Sequence, residues 1–263
     1  MKINNNIKSI TIGSFDGIHI AHKALIDRAD AVVVIERNGG YITPGCKRTM
    51  CLDKPCFFYH FDKLKSLSPK EFVTKLEKEF PELNKIIIGY DFFFGKDKSG
   101  DSQKLKELFS GEVVIVDEVS IDGIPIHSRT IKKYIIDGNI KMANRLLGRE
   151  YTIYGKVIKG QGIGAKELVP TINIKVKHYQ LPKDGVYATK TKIDDIWHKS
   201  ISFLGHRKST DNSYAIETHI LNKNIEYSKG SIWIEFNDFI RDNRKFGSLE
   251  ELKEQINKDI KFR

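Results

Sequence analysis

The sequence predicts an α/β domain built on a parallel sheet, followed by a small antiparallel β-barrel and a closing C-terminal helix. Three observations carry this. Up to about residue 148, apolar runs of strand length alternate with stretches of helical periodicity, the pattern of a parallel sheet with helical crossovers. From residue 151, six short strand-like segments follow one another with turn residues between them, which favours a barrel. The last segment, "SLEELKEQINKDI", opens with Ser248 three residues before Glu251, the spacing of a capping box. The change of texture places a boundary at Gly148–Tyr151, giving domains 1–148 and 149–263.

In order, "SITIG" (9–13) is a strand and "HIAHKALIDRA" (19–29) a helix. "AVVVI" (31–35) is a strand, and its unbroken apolar character is that of a strand buried on both faces. "SPKEFVTKLEKEF" (68–80) is a helix with Ser68 as N-cap and Pro69 in its first turn. Strand "KIIIGY" (85–90), helix "SQKLKELFS" (102–110) and strand "EVVIVDEV" (112–119) follow, then two helices over 128–138 and 139–148. The barrel strands are "YTIYGKVIKG", "TINIKVK", "GVYATKTKI", "WHKSISFLG", "YAIETHIL" and "GSIWIEF".

Forty per cent of the 263 residues are hydrophobic, enough for packed cores. No stretch approaches the ~18 apolar residues of a membrane span, and "MKINNNIKSI" lacks the apolar stretch of a signal peptide. A cytoplasmic protein with no membrane partner is expected. The net charge of +10 is spread along the chain without a compact basic run, so a generally solvated surface is expected first and a phosphate-rich small ligand second, with no nucleic-acid partner. Cys46, Cys51 and Cys56 stand at five-residue spacing, which matches no common zinc or redox pattern; reduced thiols are expected. Neither the oligomeric state nor a role for these cysteines follows from the sequence.

The chemistry concentrates at two places. In "TIGSFDGIHIAH", Gly13 and Gly17 allow a tight turn at the end of the first strand, and Asp16 can order it. His19 and His22, three apart at the start of a helix, can face one anion; solvated histidines beside a capped helix are the alternative. In "AIETHIL", alternation sets Ala215, Glu217 and His219 on one face and Ile216 on the other. Glu217 is a candidate proton acceptor or a solvated strand carboxylate. Thr171 and Asn173 follow Pro170 as oxygen donors or as a polar turn, and "GQGIG" is a glycine-rich loop.

The first motif resembles that of the bacterial bifunctional riboflavin kinase/FMN adenylyltransferase (FAD synthetase) family. The resemblance continues through "FDKLKSLSPKEFV", "IGYDFFFGKDKSGD", "MANRLLGREYTIYGKVIKG", "VPTINI", "LPKDGVYAT", "FLGHRKST", "IETHIL" and "FIRDNRKFGSLEELKEQINKDI", in the family's order. It implies a Rossmann-like nucleotidyltransferase domain followed by a riboflavin kinase barrel, with ATP, riboflavin, FMN and FAD as substrates and products and Mg²⁺ as cofactor. By the same resemblance, His19 and His22 stabilise ATP phosphates. Gly13, Phe15, Asp16, Gly17, Asp91, Ser128 and Arg129 belong to nucleotide and flavin binding, as do Gly160, Gly162 and Gly164 of the loop. Glu217 is implied as the kinase base, with Thr171 and Asn173 organising Mg²⁺-ATP.

The chain departs from the family pattern at several positions. Ala21 stands for a glycine, and "IHSRTIKK" replaces a Ser-Ser-Thr-Arg-Ile-Arg stretch. Phe93 stands for an arginine, Leu168 and Val169 for a glycine–phenylalanine pair, and Asn243 for an acidic residue. Two alternatives stay open beside FAD synthesis in two steps: retention of one activity only, or a non-catalytic flavin- or nucleic-acid-binding protein.

Overall fold

The apolar runs of the N-terminal half pair as a five-stranded parallel sheet in the computed structural model, which describes residues 6–37, 41–159, 169–208, 211–222 and 229–261. The strands are β1 (Ser9–Gly13), β2 (Ala31–Glu36), β3 (Cys56–His60), β4 (Lys85–Gly89) and β5 (Glu112–Val116), in the spatial order β3-β2-β1-β4-β5. The order reverses between β1 and β4, and ligands of open α/β sheets bind beyond the carboxyl ends of strands at such a switch point.

Strand alternation buries both faces of this sheet. Ile10, Ile12, Ile86 and Ile88 pack with Phe72 and Leu76 of α2 (Pro69–Glu79) and Leu105 of α3 (Ser102–Leu108). On the opposite face Val32 and Val34 pack with Phe15, Ile18 and Ile26, the last residue of α1 (Ile20–Ile26). Helix α2 starts where its sequence dictates: the Ser68 hydroxyl accepts from the Glu71 N–H and the Glu71 carboxylate accepts from the Ser68 N–H at 2.8 Å.

Three stretches of the N-terminal half differ from the sequence reading. Helix α1 spans seven residues, not the eleven of 19–29, because the chain turns at Asp27–Arg28 to deliver β2. Residues 45–51 form a 3₁₀ helix and Cys56 opens strand β3, neither of which the sequence reading includes; "CFFYH" lacks the β-branched run that marks "AVVVI". A two-stranded hairpin, β6 (Ser120–Ile121) and β7 (Ile124–Pro125), follows β5. All three cysteines are free thiols. Burial pushes the Cys56 thiol up to about 11, with the nearby Arg48 charge opposing.

The second half closes as a six-stranded barrel, as its sequence predicts. Its strands are β8 (Tyr151–Ile158), β9 (Ile172–Lys175), β10 (Gly185–Ile193), β11 (Ile196–His206), β12 (Tyr214–Ile220) and β13 (Ser231–Asp242), ordered β10-β11-β12-β9-β8-β13. Strand β13 runs six residues beyond the apolar "GSIWIEF", through two register shifts against β10. Tyr187 and Phe236 pack edge to face, with ring centroids 5.2 Å apart, in the apolar part of this unit. Elsewhere it buries hydroxyls: Thr189, Thr191, Ser200, Ser202 and Thr218 are all fully buried and joined at 2.8–3.0 Å. Each hydroxyl both donates and accepts, so the chain of bonds offsets their desolvation.

Helices α4 (Ser128–Ile136) and α5 (Ile140–Leu147) precede the barrel. The Asn144 amide in the middle of α5 donates to the Phe236 carbonyl at 2.8 Å and accepts from the Tyr151 N–H at 2.7 Å. The two compact units accordingly divide at Ser128/Arg129, twenty residues before the change of sequence texture. The C-terminal helix α6 (Leu249–Lys261) is pinned by Asp259, which is 3% exposed and accepts from Arg241 at 2.7 and 3.0 Å. At its start the Ser248 hydroxyl accepts from the Glu251 N–H, while the Glu251 carboxylate accepts from Gly247 instead of Ser248.

Candidate active sites

The first site is the turn between β1 and α1. Phe15, Gly17 and Ile18 all have positive φ, at 46°, 91° and 43°, a conformation that costs a non-glycine residue roughly 1–2 kcal/mol. Long-range bonds hold it. The Asp16 carboxylate accepts from the Ile42 and Thr43 N–H groups at 2.9 and 3.1 Å, and the Ser128 hydroxyl donates to the Asp16 carbonyl at 2.7 Å. Close packing adds to this: a Cβ on Gly13 would stand 3.3 Å from the Phe15 ring, and one on Gly17 3.1 Å from Ile42.

This turn delivers the two histidines as a stacked pair, with ring centroids 3.4 Å apart and planes 18° from parallel. His19 is 3% exposed and is the N-cap of α1; its Nδ1 accepts from the His22 N–H at 3.3 Å. Nδ1 acting as acceptor leaves the proton of a neutral His19 on Nε2, as a donor. One first-turn N–H is thereby used inside the protein. With α1 only two turns long, donation to an anion rests more on the imidazoles than on the helix end. Phe15 meets His22 edge-on at 5.1 Å.

Gly13, Phe15, Asp16, Gly17, His19, His22 and Ser128 therefore converge. Asp91 lies just beyond β4, the neighbour of β1, and is exposed; its Oδ1 folds back to within 3.3 Å of where a Gly89 Cβ would be. A group not singled out in the sequence stands at the same edge of the sheet. The Tyr90 hydroxyl bonds Glu118, and His127 Nε2 lies 3.2 Å from the same carboxylate. Arg129 is exposed on α4 and begins the second compact unit. Gly160, Gly162 and Gly164 lie outside the described residues, as does Leu168.

The second site is on the barrel. Strand β9 pairs antiparallel with β12 and sets Asn173 directly opposite Glu217. Arg207, at the end of β11, joins them. Its guanidinium donates to Glu217 Oε1 through Nε at 2.7 Å and to Asn173 Oδ1 through Nη2 at 2.6 Å, and Nη2 also lies 2.6 Å from Glu217 Oε1 as an ion pair. A further nitrogen donates to the Ser213 hydroxyl at 2.7 Å. Ser213 donates in turn to Asp211, through backbone and side chain, and those bonds hold the Asp211 carboxyl below its usual range. His219, two residues beyond Glu217 on the same face, donates from Nδ1 to the Pro170 carbonyl at 2.8 Å and so fixes the segment that carries Thr171. Sequence spacing placed Glu217, Thr171 and Asn173 as candidates; only the fold brings Arg207 to Glu217 and Asn173.

A family model for riboflavin kinase matches residues 147–263, and one for FAD synthetase matches residues 48–130, so the histidine turn lies outside both matched stretches. A bifunctional riboflavin kinase/FMN adenylyltransferase of Buchnera aphidicola (subsp. Acyrthosiphon pisum) is 31% identical over 98% of this chain and 93% of its own length. Proteins of the same description from Pseudomonas fluorescens and Listeria monocytogenes are 27% and 29% identical, covering 95% and 96% of this chain and 90% of their own. A crystal structure titled a macrolide-efflux protein, from Streptococcus pneumoniae, superposes with a TM-score of 0.88 at 27% identity, over 98% of this chain and 94% of that one. Among the described residues no helix is long and apolar enough to cross a membrane. On the full-length match to the Buchnera protein and the two family models in tandem, the chain belongs to the bifunctional riboflavin kinase/FMN adenylyltransferase family.

Proposed function

We propose that residues 1–148 adenylylate FMN at the histidine turn and residues 149–263 phosphorylate riboflavin at the Glu217–Asn173 face, with ATP as donor in both reactions. The observation that carries this is the presence on one chain of two sites suited to two different nucleophiles: a stacked imidazole pair at the start of a helix, and a carboxylate paired across strands with an amide.

The phosphate of FMN is already anionic near neutral pH and needs positioning and charge stabilisation more than a base. His19 Nε2–H, with His22 stacked on it, supplies donors for the charge that develops on the phosphates of ATP. Phe15, Asp16 and Ser128 hold those rings in register, and Gly13 and Gly17 let the backbone turn under them. Asp91 extends the nucleotide and flavin site.

The primary hydroxyl of riboflavin must lose a proton as it attacks, and Glu217 accepts it. Thr171 and Asn173 would hold Mg²⁺. Both offer the oxygen donors that this ion requires, and Asn173 Oδ1 already accepts from a cationic guanidinium, so positive charge is stable where that oxygen points. Bound there, Mg²⁺ neutralises charge on the transferring phosphoryl group. The three free thiols suit a reducing, cytoplasmic compartment, and the net charge of +10 suits small anionic substrates.

Purified protein incubated with riboflavin, ATP and Mg²⁺ should yield FMN and then FAD when products are separated. FAD from added FMN without FMN from riboflavin would reduce the assignment to the adenylyltransferase. Neither product would return the chain to a binding role.

A further inference from the structure

We infer that Arg207 is a positioning residue of the kinase site: a built-in cation that occupies the oxygens of Glu217 and Asn173 until Mg²⁺-nucleotide arrives. The inference rests on the assignment of those two residues given above. One guanidinium bonds both, at 2.6–2.7 Å, and is itself fixed to Ser213. Arg207 and Glu217 side chains are 17% and 21% exposed and Asn173 is 7% exposed, so the cluster is largely withdrawn from water, where such charge-assisted bonds count for more.

The arrangement has a cost and a use. Asn173 is paired with Glu217 across the strands, so an ionised carboxylate and an amide oxygen point into one small space, where an opposite charge is needed to hold them. Arg207 supplies it without a ligand. Its planar fork spans two acceptors where an ammonium group would meet them as a single point. When the divalent ion binds, Arg207 gives up Asn173 Oδ1 while its Nε bond to Glu217 can persist, keeping that carboxylate aimed. The contact with Asn173 therefore competes with the ion, and the contact with Glu217 assists the reaction.

These two contacts predict effects of opposite sign, which simple structural support does not. Arg207→Met keeps the stem and removes every donor. In the full chain with a non-hydrolysable ATP analogue, Mn²⁺ binding followed by the loss of its free spin-resonance signal should tighten by roughly tenfold, the equivalent of one charge-assisted hydrogen bond. Turnover of riboflavin at saturating Mg²⁺ should fall by about the same factor. FAD formation from added FMN should be unchanged. Should the methionine variant lose the barrel's thermal transition, Arg207→Lys asks the same question, with a smaller tightening and a smaller loss of turnover expected. Asn173→Ala, run in parallel, should weaken Mn²⁺ binding. If it does and the Arg207 variants bind Mn²⁺ no tighter than wild type, the placeholder role is overturned and the site assignment survives. If Asn173→Ala leaves Mn²⁺ binding unchanged, both fall.

Discussion

The two sites are held in opposite ways. At the β1–α1 turn the candidate groups are imidazole rings, and what fixes them is backbone: a strained loop pinned by Asp16 to Ile42 and Thr43 and by Ser128 to a carbonyl. At the barrel the functional groups are a carboxylate and an amide, and what fixes them is a fully charged side chain reaching across strands. The difference follows the chemistry proposed for each. A site that must receive phosphate nucleophile and phosphate donor gains from hydrogen-bond donors, and its one close carboxylate, Asp16, is committed to backbone N–H groups. A site that must deprotonate a hydroxyl needs a carboxylate, and a carboxylate withdrawn from water needs a cation.

This contrast can be broken most decisively at Glu217. Glu217→Gln keeps the shape and removes the basicity, so phosphorylation of riboflavin should fall by roughly 10²–10⁴-fold while added FMN is still converted to FAD. Wild-type kinase turnover in that variant would mean that the carboxylate is not the base. The converse variant is His22→Ala. FAD formation from FMN should drop on the order of 10²-fold, with riboflavin phosphorylation retained. Equal loss of both activities in either variant would point to misfolding, and the independence of the sites would go with it.

Stability offers a third comparison. Asp259 is 3% exposed and depends on Arg241, so Arg241→Ala should cost about 3 kcal/mol, read as a lower urea midpoint for the barrel. Adenylylation of FMN below that midpoint should persist. A variant as stable as wild type would show that α6 docks by its apolar contacts alone.

The smallest effect concerns pH. Burial raises Cys56 from 9.0 to about 11, so the folded state favours the neutral thiol. Its contribution to stability is complete below pH 9.0 and is lost as pH rises through about 11. Wild type should therefore lose slightly more stability than Cys56→Ala between those pH values. At pH 8 the exposed Cys46 should react with a thiol reagent well before Cys56. A Cys56 that reacts as fast as Cys46 would place the β3 edge in solvent.

Much of the fold is legible locally. "SPKEF" carries its own cap, unbroken runs such as "AVVVI" announce strands buried on two faces, and the barrel strands are separated by their own turn residues. Strand β3 is not legible, because "CFFYH" lacks the β-branched run that marks "AVVVI". The assignment of α4 and α5 to the barrel's compact unit is hidden for another reason: it depends on Asn144 meeting Phe236, ninety-two residues away. At the sites, the spacing of His19 and His22 and the alternation around Glu217 identify candidates, since side chains three apart on a helix and two apart on a strand share a face.

What the sequence alone determines here is everything set by near neighbours: which segments are strands or helices, where most of them begin, and which polar residues share a face. The tertiary structure decided three further things. The order β3-β2-β1-β4-β5 puts the histidine turn at the switch point of the sheet. The bonds from Ile42, Thr43 and Ser128 bear the strain of that turn. The closure of the barrel carries Arg207 onto Asn173, thirty-four residues back along the chain. The physical reason is the same in each case. Hydrogen-bond pairing and burial act between surfaces that meet only after the chain has folded, so no local period records which partner a side chain will find.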